Sequence, residues 1–391
     1  MEGGRTAHSA LKLPLNVQVI ENPTCNISRN SAIAKVLRQA SIILWDECTM
    51  AHKKSLEALN RTMMDLRGNQ QLFGGALLLL SGDFRQTLPV IPRSTPADEI
   101  NACLKSSTLW RRVQKLTLNI NMRVQLQNDK SARQFSKDLL DMGNGKIRID
   151  NANGLINLPN NFCTIQPSIE QLIDNVFPNI VRNYKNYDWL RERAILAPKN
   201  VHVNAINHQI QEKLPGAVTT YKSVDTVMNQ DEAVNYPVEF LNSLEPSGMP
   251  PHCLNLKVGS GIMLLRNMNP PKLCNGTRLA VKKLMPNLIE ATILTGKAKG
   301  ENVLIPRIPM IPTDMPFEFK RLQFPIRLAF AMTIIKSQGQ TLQVCGINLE
   351  EPCFSHGQLY VACSRVGLPK NLFIHARDGK TKNIVYLNVL R

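Results

Sequence analysis

Ser41-Ile42-Ile43-Leu44-Trp45-Asp46-Glu47 and Ala76-Leu77-Leu78-Leu79-Leu80-Ser81-Gly82-Asp83-Phe84-Arg85-Gln86 decide how this chain folds. Each is a short, continuous apolar run that stops abruptly in polar side chains. Such runs predict buried strands of a parallel sheet, and open α/β sheets bind their ligands at the carboxyl ends of the strands, where these polar groups are delivered. An acidic pair in that place can hold Mg2+ and polarise a water, while a Gln on the neighbouring strand can sense a terminal phosphate. The pattern points to nucleoside triphosphate hydrolysis. No Gly-x-x-x-x-Gly-Lys-Ser/Thr loop precedes Asp46 in this sequence. Gly379-Lys380-Thr381 has the tail of such a loop, but Ile374 stands where its first glycine belongs. The Ile384-Val385-Tyr386-Leu387 that follows has a strand pattern, whereas a phosphate loop must open a helix. Asp378-Gly379 therefore predicts a hairpin turn between two strands.

At 391 residues with 43% hydrophobic content, the chain has room for two or three globular domains. No apolar run approaches the ~20 residues of a membrane span, and the first residues do not resemble a signal peptide. The excess of 47 Lys+Arg over 30 Asp+Glu, a net +17, suggests a polyanionic partner, with nucleic acid the default. Nine cysteines include no Cys-x-x-Cys pair, and their odd number argues against a closed disulfide set, which points to a reducing compartment. The histidines lack metal spacing; His8 and His356 read as polar contacts.

Residues 1–125 carry the two strand motifs, joined by a helix predicted over His52–Arg67 from Leu56, Leu59 and Met63. Residues 126–220 add a helix over Ser131–Met142, a short strand over Arg193–Pro198 and a helix over Val201–Lys213, the start of a second α/β unit. From 221 to 320 prolines punctuate short β-type runs, such as Gly261–Leu265 and Leu288–Leu294, with no helix period before Phe324. That texture predicts a small barrel inserted in the second unit, which 321–391 completes. Between 266 and 327 stand eleven Lys/Arg against four acids, a candidate DNA-facing surface whose competing reading is a solvated charged face.

An acidic pair or a Gly-Asp-Phe-Arg-Gln segment alone would carry little weight; both on adjacent predicted strands are hard to obtain by chance. Together with Asn121-Met122-Arg123, Leu328-Ala329-Phe330-Ala331-Met332-Thr333-Ile334-Ile335-Lys336-Ser337-Gln338-Gly339-Gln340-Thr341 and His356-Gly357-Gln358-Leu359-Tyr360-Val361-Ala362-Cys363-Ser364-Arg365-Val366, they resemble the successive motifs of petite-integration-frequency (PIF) type superfamily-one DNA helicases. Gly3-Gly4-Arg5-Thr6-Ala7-His8-Ser9 adds a likeness to the members carried by Helitron transposons. The resemblance covers essentially the whole chain. It implies an α/β fold of two RecA-like lobes, the first truncated, with a small SH3-like barrel inserted in the second. It implies a monomer that uses ATP and Mg2+ to move 5′ to 3′ on single-stranded DNA and at duplex junctions, in repair, recombination, telomere maintenance or transposition. The compartment it implies is the nucleus, with mitochondria in the wider family.

Carried over residue by residue, the resemblance gives Asp46 the Mg2+ and Glu47 the attacking water. Gln86 would contact the γ-phosphate, with Gly82, Asp83 and Gly339 about the nucleotide. Arg123 and Arg365 would neutralise charge on the phosphoryl oxygens. Thr6, His8, Thr333, Lys336, Ser337 and Gln338 would bind single-stranded DNA. Aromatic content of 5% argues against a long stacking platform and for backbone contacts. Ile335 departs from the polar residue usual in the family. Met1 falls just inside the second family motif, so the expectation is an N-terminally truncated copy whose first lobe lacks the phosphate loop. Losing three charge-assisted hydrogen bonds of ~1.5–3 kcal/mol each would weaken ATP binding by more than about three decades. The competing expectation is a non-enzymatic remnant that binds single-stranded DNA.

Overall fold

The two apolar runs form neighbouring strands, β1 (Ile42–Trp45) and β2 (Leu77–Leu80), paired in parallel with Trp45 opposite Leu80. They belong to a computed structural model that describes residues 5–91, 94–118, 120, 122, 129–229, 234–312 and 315–391. The chain divides into two units: Met1–Phe162 with Pro352–Pro369 and Arg377–Arg391, and Cys163–Glu351 with Lys370–Ala376.

In the first unit the parallel ladder runs past the strand ends, with Ser81 N donating to Trp45 O and Cys48 N to Ser81 O, both at 2.9 Å. The acidic pair and the Ser81–Gln86 segment therefore leave the sheet side by side. The helix Lys53–Arg67 connects the strands: His52 caps it by accepting from Lys54 N at 3.1 Å, and Gly68 ends it in the left-handed region at φ 62°. Leu56, Leu59 and Met63 recur on one face and pack with Trp45, Ile43, Leu78 and Leu80. The strands are not buried on both faces as predicted. Ile42 and Leu77 are 61% and 63% exposed, and Leu44 and Leu79 are exposed with them. Side chains alternate across a strand, so only the face turned to the helix is covered among the described residues.

The same unit gathers the helix Lys130–Gly143 and the helix Gln358–Cys363, where a Cβ on Gly143 would lie 2.8 Å from Tyr360 Cδ2. Sequence texture groups Lys130–Gly143 with residues 126–220, whereas here it packs in the first unit, and residues 321–391 are shared between both units. Asp378 and Gly379 do turn the chain, at φ 54° and 66°. They make no hairpin, because Lys380–Thr381 pairs antiparallel with Ile156–Asn157. Ile384–Tyr386 is not a strand either. Its backbone is claimed elsewhere: Gly357 N donates to Ile384 O at 3.0 Å, and Tyr386 N to His356 Nδ1 at 2.8 Å.

The second unit is built on a five-stranded parallel sheet in the order Ala331–Thr333, Arg193–Ala197, Val344–Asn348, Leu372–His375, Thr164–Ile165. Arg193–Ala197 is buried at every position, as expected for an inner parallel strand, and its core includes Leu172, Val176, Phe177 and Phe330. Between the helix Asn200–Glu212 and Ala331, the chain forms antiparallel sheets. One has five strands, running from Asn302–Pro306 through Leu288–Ile293, Arg278–Leu284 and Gly261–Leu264 to Ile326–Leu328. Another joins Ile308–Met310, Phe319–Gln323 and Val224–Val227. The short helix Val238–Ser243 interrupts this β texture against expectation. Arg321, fully buried, ties it down: it meets Asp225 at 2.6 Å through Nη2, and donates to Leu241 O at 2.9 Å and to Leu244 O and Pro250 O at 3.1 Å.

Candidate active site

β1 delivers two carboxylates with different surroundings. Ser81 Oγ donates to Asp46 Oδ1 at 2.8 Å and Glu47 N to the same oxygen at 3.0 Å, which fixes one edge of an exposed carboxylate and leaves Oδ2 without a protein partner among the described residues. Glu47 sits in the left-handed region at φ 50°, ψ 39°, a conformation that costs a non-glycine residue ~1–3 kcal/mol. Its Oε2 is buried with no hydrogen-bond partner among the described residues. Desolvation, then Asp46 and Asp83, push its pKa above the ordinary carboxylate value, while Arg365 pulls it down. Strain and an orphaned carboxylate oxygen at one residue mark a group held for chemistry rather than for stability.

The sign of that shift gives a test. A carboxyl whose folded pKa exceeds its unfolded value favours the folded state most below about pH 4.3, and that contribution is lost as pH rises through the folded value. Glu47→Gln removes the loss. Its melting temperature should match that of the unsubstituted chain in acid and rise above it toward neutral pH. A variant that is the less stable of the two at pH ~7 would show the carboxylate to be satisfied in the fold.

The turn after β2 is tightly drawn: a Cβ on Gly82 would lie 2.8 Å from Thr49 Cγ2. Asp83 organises it. Its Oδ1 accepts from Arg85 N at 3.0 Å and Arg85 Nε at 2.9 Å, its Oδ2 accepts from Tyr360 OH at 2.8 Å, and its carbonyl accepts from Gln86 N at 3.0 Å. Both Asp83 oxygens are thus engaged within the protein, and Gln86 is held half-buried at the end of the turn.

The His356–Arg365 segment seats directly on this turn. Fully buried His356 donates from Nε2 to Phe84 O at 2.8 Å and accepts at Nδ1 from Tyr386 N, so the ring is neutral, in accord with a pKa lowered by burial. Gly357, at φ 70°, comes so near that a Cβ would lie 2.3 Å from Arg85 O. Burial and Asp83 hold the Tyr360 phenol protonated far above its usual range. Arg365, only 8% exposed, donates from Nε to Val361 O and from Nη2 to Ser364 Oγ, both at 2.8 Å, and its charge is felt at Glu47. Asp46, Glu47, Gly82, Asp83, Gln86 and Arg365 thus fall in one unit. Sequence reasoning missed Gly357, Tyr360 and Ser81 as organisers; a Tyr and a Gly inside the quoted motif were the available signals.

A cavity of about 710 Å³ in the same unit is lined by Thr6, His8, Trp45, Asp46, Glu47 and His52, among others. Thr6 and His8 therefore share a cavity with the acidic pair. Thr6 Oγ1 also accepts from Ser9 N at 3.3 Å as the cap of Ala7–Leu11. In the second unit Thr333 ends its strand half-buried, and Lys336 and Ser337 lie in the turn Ile335–Ser337, followed by Gln338. Lys336 is exposed and donates to Asn275 Oδ1 at 3.4 Å; Ser337 is buried and donates to Ile334 O at 2.7 Å, fastening the turn. Gly339 lies in open space at φ 73°. Arg123 lies outside the described residues.

Among the described residues, no group of three or more His, Cys, Asp or Glu side chains could enclose a metal ion. One open carboxylate oxygen beside a serine hydroxyl fits Mg2+ all the same, because that ion keeps several waters and binds through one or two carboxylates plus substrate phosphates. No helix among the described residues is long and apolar enough to cross a membrane.

Comparison with known proteins agrees with this fold. The profile of the family described as PIF1-like helicase matches residues 1–153, and that of the DNA helicase Pif1 2B domain matches residues 239–284. The chain is 25% identical to the ATP-dependent DNA helicase Pif1 of a Psychrobacter species over 93% of its own length and 57% of the relative's. It is 26% identical to PIF1 of Danio rerio over 93% of itself and 50% of that protein, and 24% identical to Pif1 of Campylobacter jejuni over its whole length and 82% of that protein. The chain spans about half the length of several curated relatives it matches. Among solved structures, Pif1 helicase from Candida albicans superposes with TM-score 0.66 at 22% identity, covering 99% of this chain and 83% of that one. Pif1 from Bacteroides in complex with ADP-AlF3 and single-stranded DNA gives 0.62 at 20%, covering 96% and 79%. These likenesses show the fold, α/β with RecA-like parallel sheet. Two profiles matched in order and relatives aligned over nearly the whole chain support a PIF1-family helicase.

Proposed function

We propose that the chain carries the hydrolytic and strand-binding core of an ATP-dependent DNA helicase that moves 5′ to 3′ along single-stranded DNA and acts at duplex junctions. The observation that carries this reading is Glu47: strained, partly orphaned, raised in pKa, and electrostatically coupled to a buried Arg365. Asp46, oriented by Ser81, would hold Mg2+, and bound Mg2+ would draw charge from the phosphate oxygens. Glu47 would orient the attacking water and take up its proton. Gln86, on a turn clamped by Asp83, would register the terminal phosphate, and Arg365 would offset the charge that grows on it in the transition state. Arg123, from its motif, would be a second such arginine, and Gly339 would lie near the nucleotide. Thr6, His8, Thr333, Lys336 and Gln338 would supply donors to the strand backbone, with Ser337 holding their turn. By function, the lobes would divide at 125, 220 and 320. A nuclear monomer serving repair, recombination, telomere maintenance or transposition is part of the same reading.

A second reading is a strand-binding protein without turnover, supported by the net charge of +17. The chain is expected to bind single-stranded oligonucleotides with log K falling as log salt rises. Lys336→Ala should flatten that slope by about 0.7 without sequence preference. DNA-stimulated hydrolysis that falls ~10²–10⁴-fold in Glu47→Gln would establish the motor and remove the second reading. Binding without turnover supports the second. An anisotropy titration showing no salt-sensitive binding would sink both.

A further inference from the structure

Two arginines from separate elements of the second unit converge on one loop, and a lysine from a third element feels the charge of both. Arg266 follows the strand Gly261–Leu264; its Nη1 donates to Gly248 O at 2.8 Å and Leu265 O at 2.9 Å, and its Nη2 to Met249 Sδ at 3.5 Å. Arg327, in the neighbouring strand and paired opposite Met263, donates from Nε to Met249 O at 2.7 Å. Its two terminal nitrogens have no protein partner among the described residues. Lys336 reaches Asn275 Oδ1 at 3.4 Å, and Asn275 N in turn donates to Asn267 Oδ1, beside Arg266, at 2.8 Å. No carboxylate forms an ion pair with any of the three among the described residues, and Glu245 acts only on Arg327. Desolvation, followed by repulsion from Arg266 and Arg327, holds Lys336 below the ordinary lysine pKa.

A fold that fixes two guanidinium groups through carbonyls, beside a third cation and without a paired carboxylate, maintains repulsion that a bound anion would remove. Tethered guanidinium groups also lose little freedom on binding, which favours a ligand that meets both at once. We propose that Arg266, Arg327 and Lys336 form one subsite for the backbone phosphates of a single nucleic-acid strand. The strand as ligand rests on the function proposed above; the placement of the cations does not.

The test is fluorescence anisotropy with a labelled homopolymer oligonucleotide over a range of salt, on the full chain and its Arg266→Gln, Arg327→Gln and double variants, with thermal melting to confirm folding. Each single substitution should weaken binding and flatten the slope of log K against log salt by about 0.7, and the double by about 1.4. Where a Gln variant melts early, Arg266→Lys and Arg327→Lys give the answer: they keep the charge and should keep the slope, and a slope lost in them as in Gln overturns the subsite. An unchanged slope in the double variant, with Lys336→Ala still flattening it, would make the arginines scaffolding for the Met249 loop and overturn this inference alone. No salt-sensitive binding by the unsubstituted chain would overturn it together with the strand-binding reading. Displacement of the oligonucleotide by stoichiometric tripolyphosphate would assign the cations to a free polyphosphate and overturn it as well.

Discussion

Gly357→Ala is expected to lower the melting temperature of the first unit by roughly 4–20 °C. At φ 70° an alanine incurs the left-handed penalty of ~1–2 kcal/mol. Its Cβ would also stand 2.3 Å from Arg85 O and 2.7 Å from Gln86 C and O, all backbone atoms that no rotamer change can move. Displacing them adds an overpacking cost of ~1–3 kcal/mol, and in a unit of this size each kcal/mol shifts melting by roughly 2–4 °C. Gly379 is the control, at φ 66° with nothing within 4 Å of its would-be Cβ. Gly379→Ala should show the conformational penalty alone. If the two variants melt alike, the His356–Arg365 segment is not seated on the Gln86 turn, and the route by which Arg365 reaches Glu47 would need another account.

The contrast between these glycines shows what a sequence discloses. Asp46, Glu47 and Gln86 could be singled out because polar residue types at strand ends carry their own chemistry, and Arg365 only through the family resemblance; the structure places all four in one unit. The bond from Tyr360 OH to Asp83 was not, since it joins residues 277 apart that no local period connects. The helix Lys53–Arg67 was legible from a three- and four-residue recurrence sustained over fifteen residues. Val238–Ser243 was not, because six residues starting at Pro237 are too few to show a period. The exposure of Ile42, Leu44, Leu77 and Leu79 was invisible for a different reason. A run of four apolar residues has no alternation to tell which face is covered. Ile384–Tyr386 misled because its β-type side chains are real, while His356 and Gly357 take the backbone groups a ladder would need.

Asp225→Ala should destabilise the second unit by ~3–5 kcal/mol, or roughly 6–20 °C in melting, because it leaves the guanidinium of Arg321 charged and wholly buried. Replacing a buried ion pair by apolar residues often restores stability, but here it should fail. Arg321 spends all five of its donors: Nε and one Nη2 hydrogen on Asp225, the other three on the carbonyls of Leu241, Leu244 and Pro250. An Asp225→Leu, Arg321→Leu double variant would strip those carbonyls at ~1–3 kcal/mol each and should melt no higher than Asp225→Ala. A fully rescued double variant would mean that the carbonyl contacts contribute nothing. The consequence extends to binding. Pro250 adjoins Gly248 and Met249, to which Arg266 and Arg327 are tied, so loosening Arg321 should release the loop that aims both cations. Removing a negative charge would by itself favour a polyanion. Measured well below its melting point, Asp225→Ala should instead bind single-stranded DNA more weakly, and tighter binding would show that net charge, not the aim of the arginines, governs the strand.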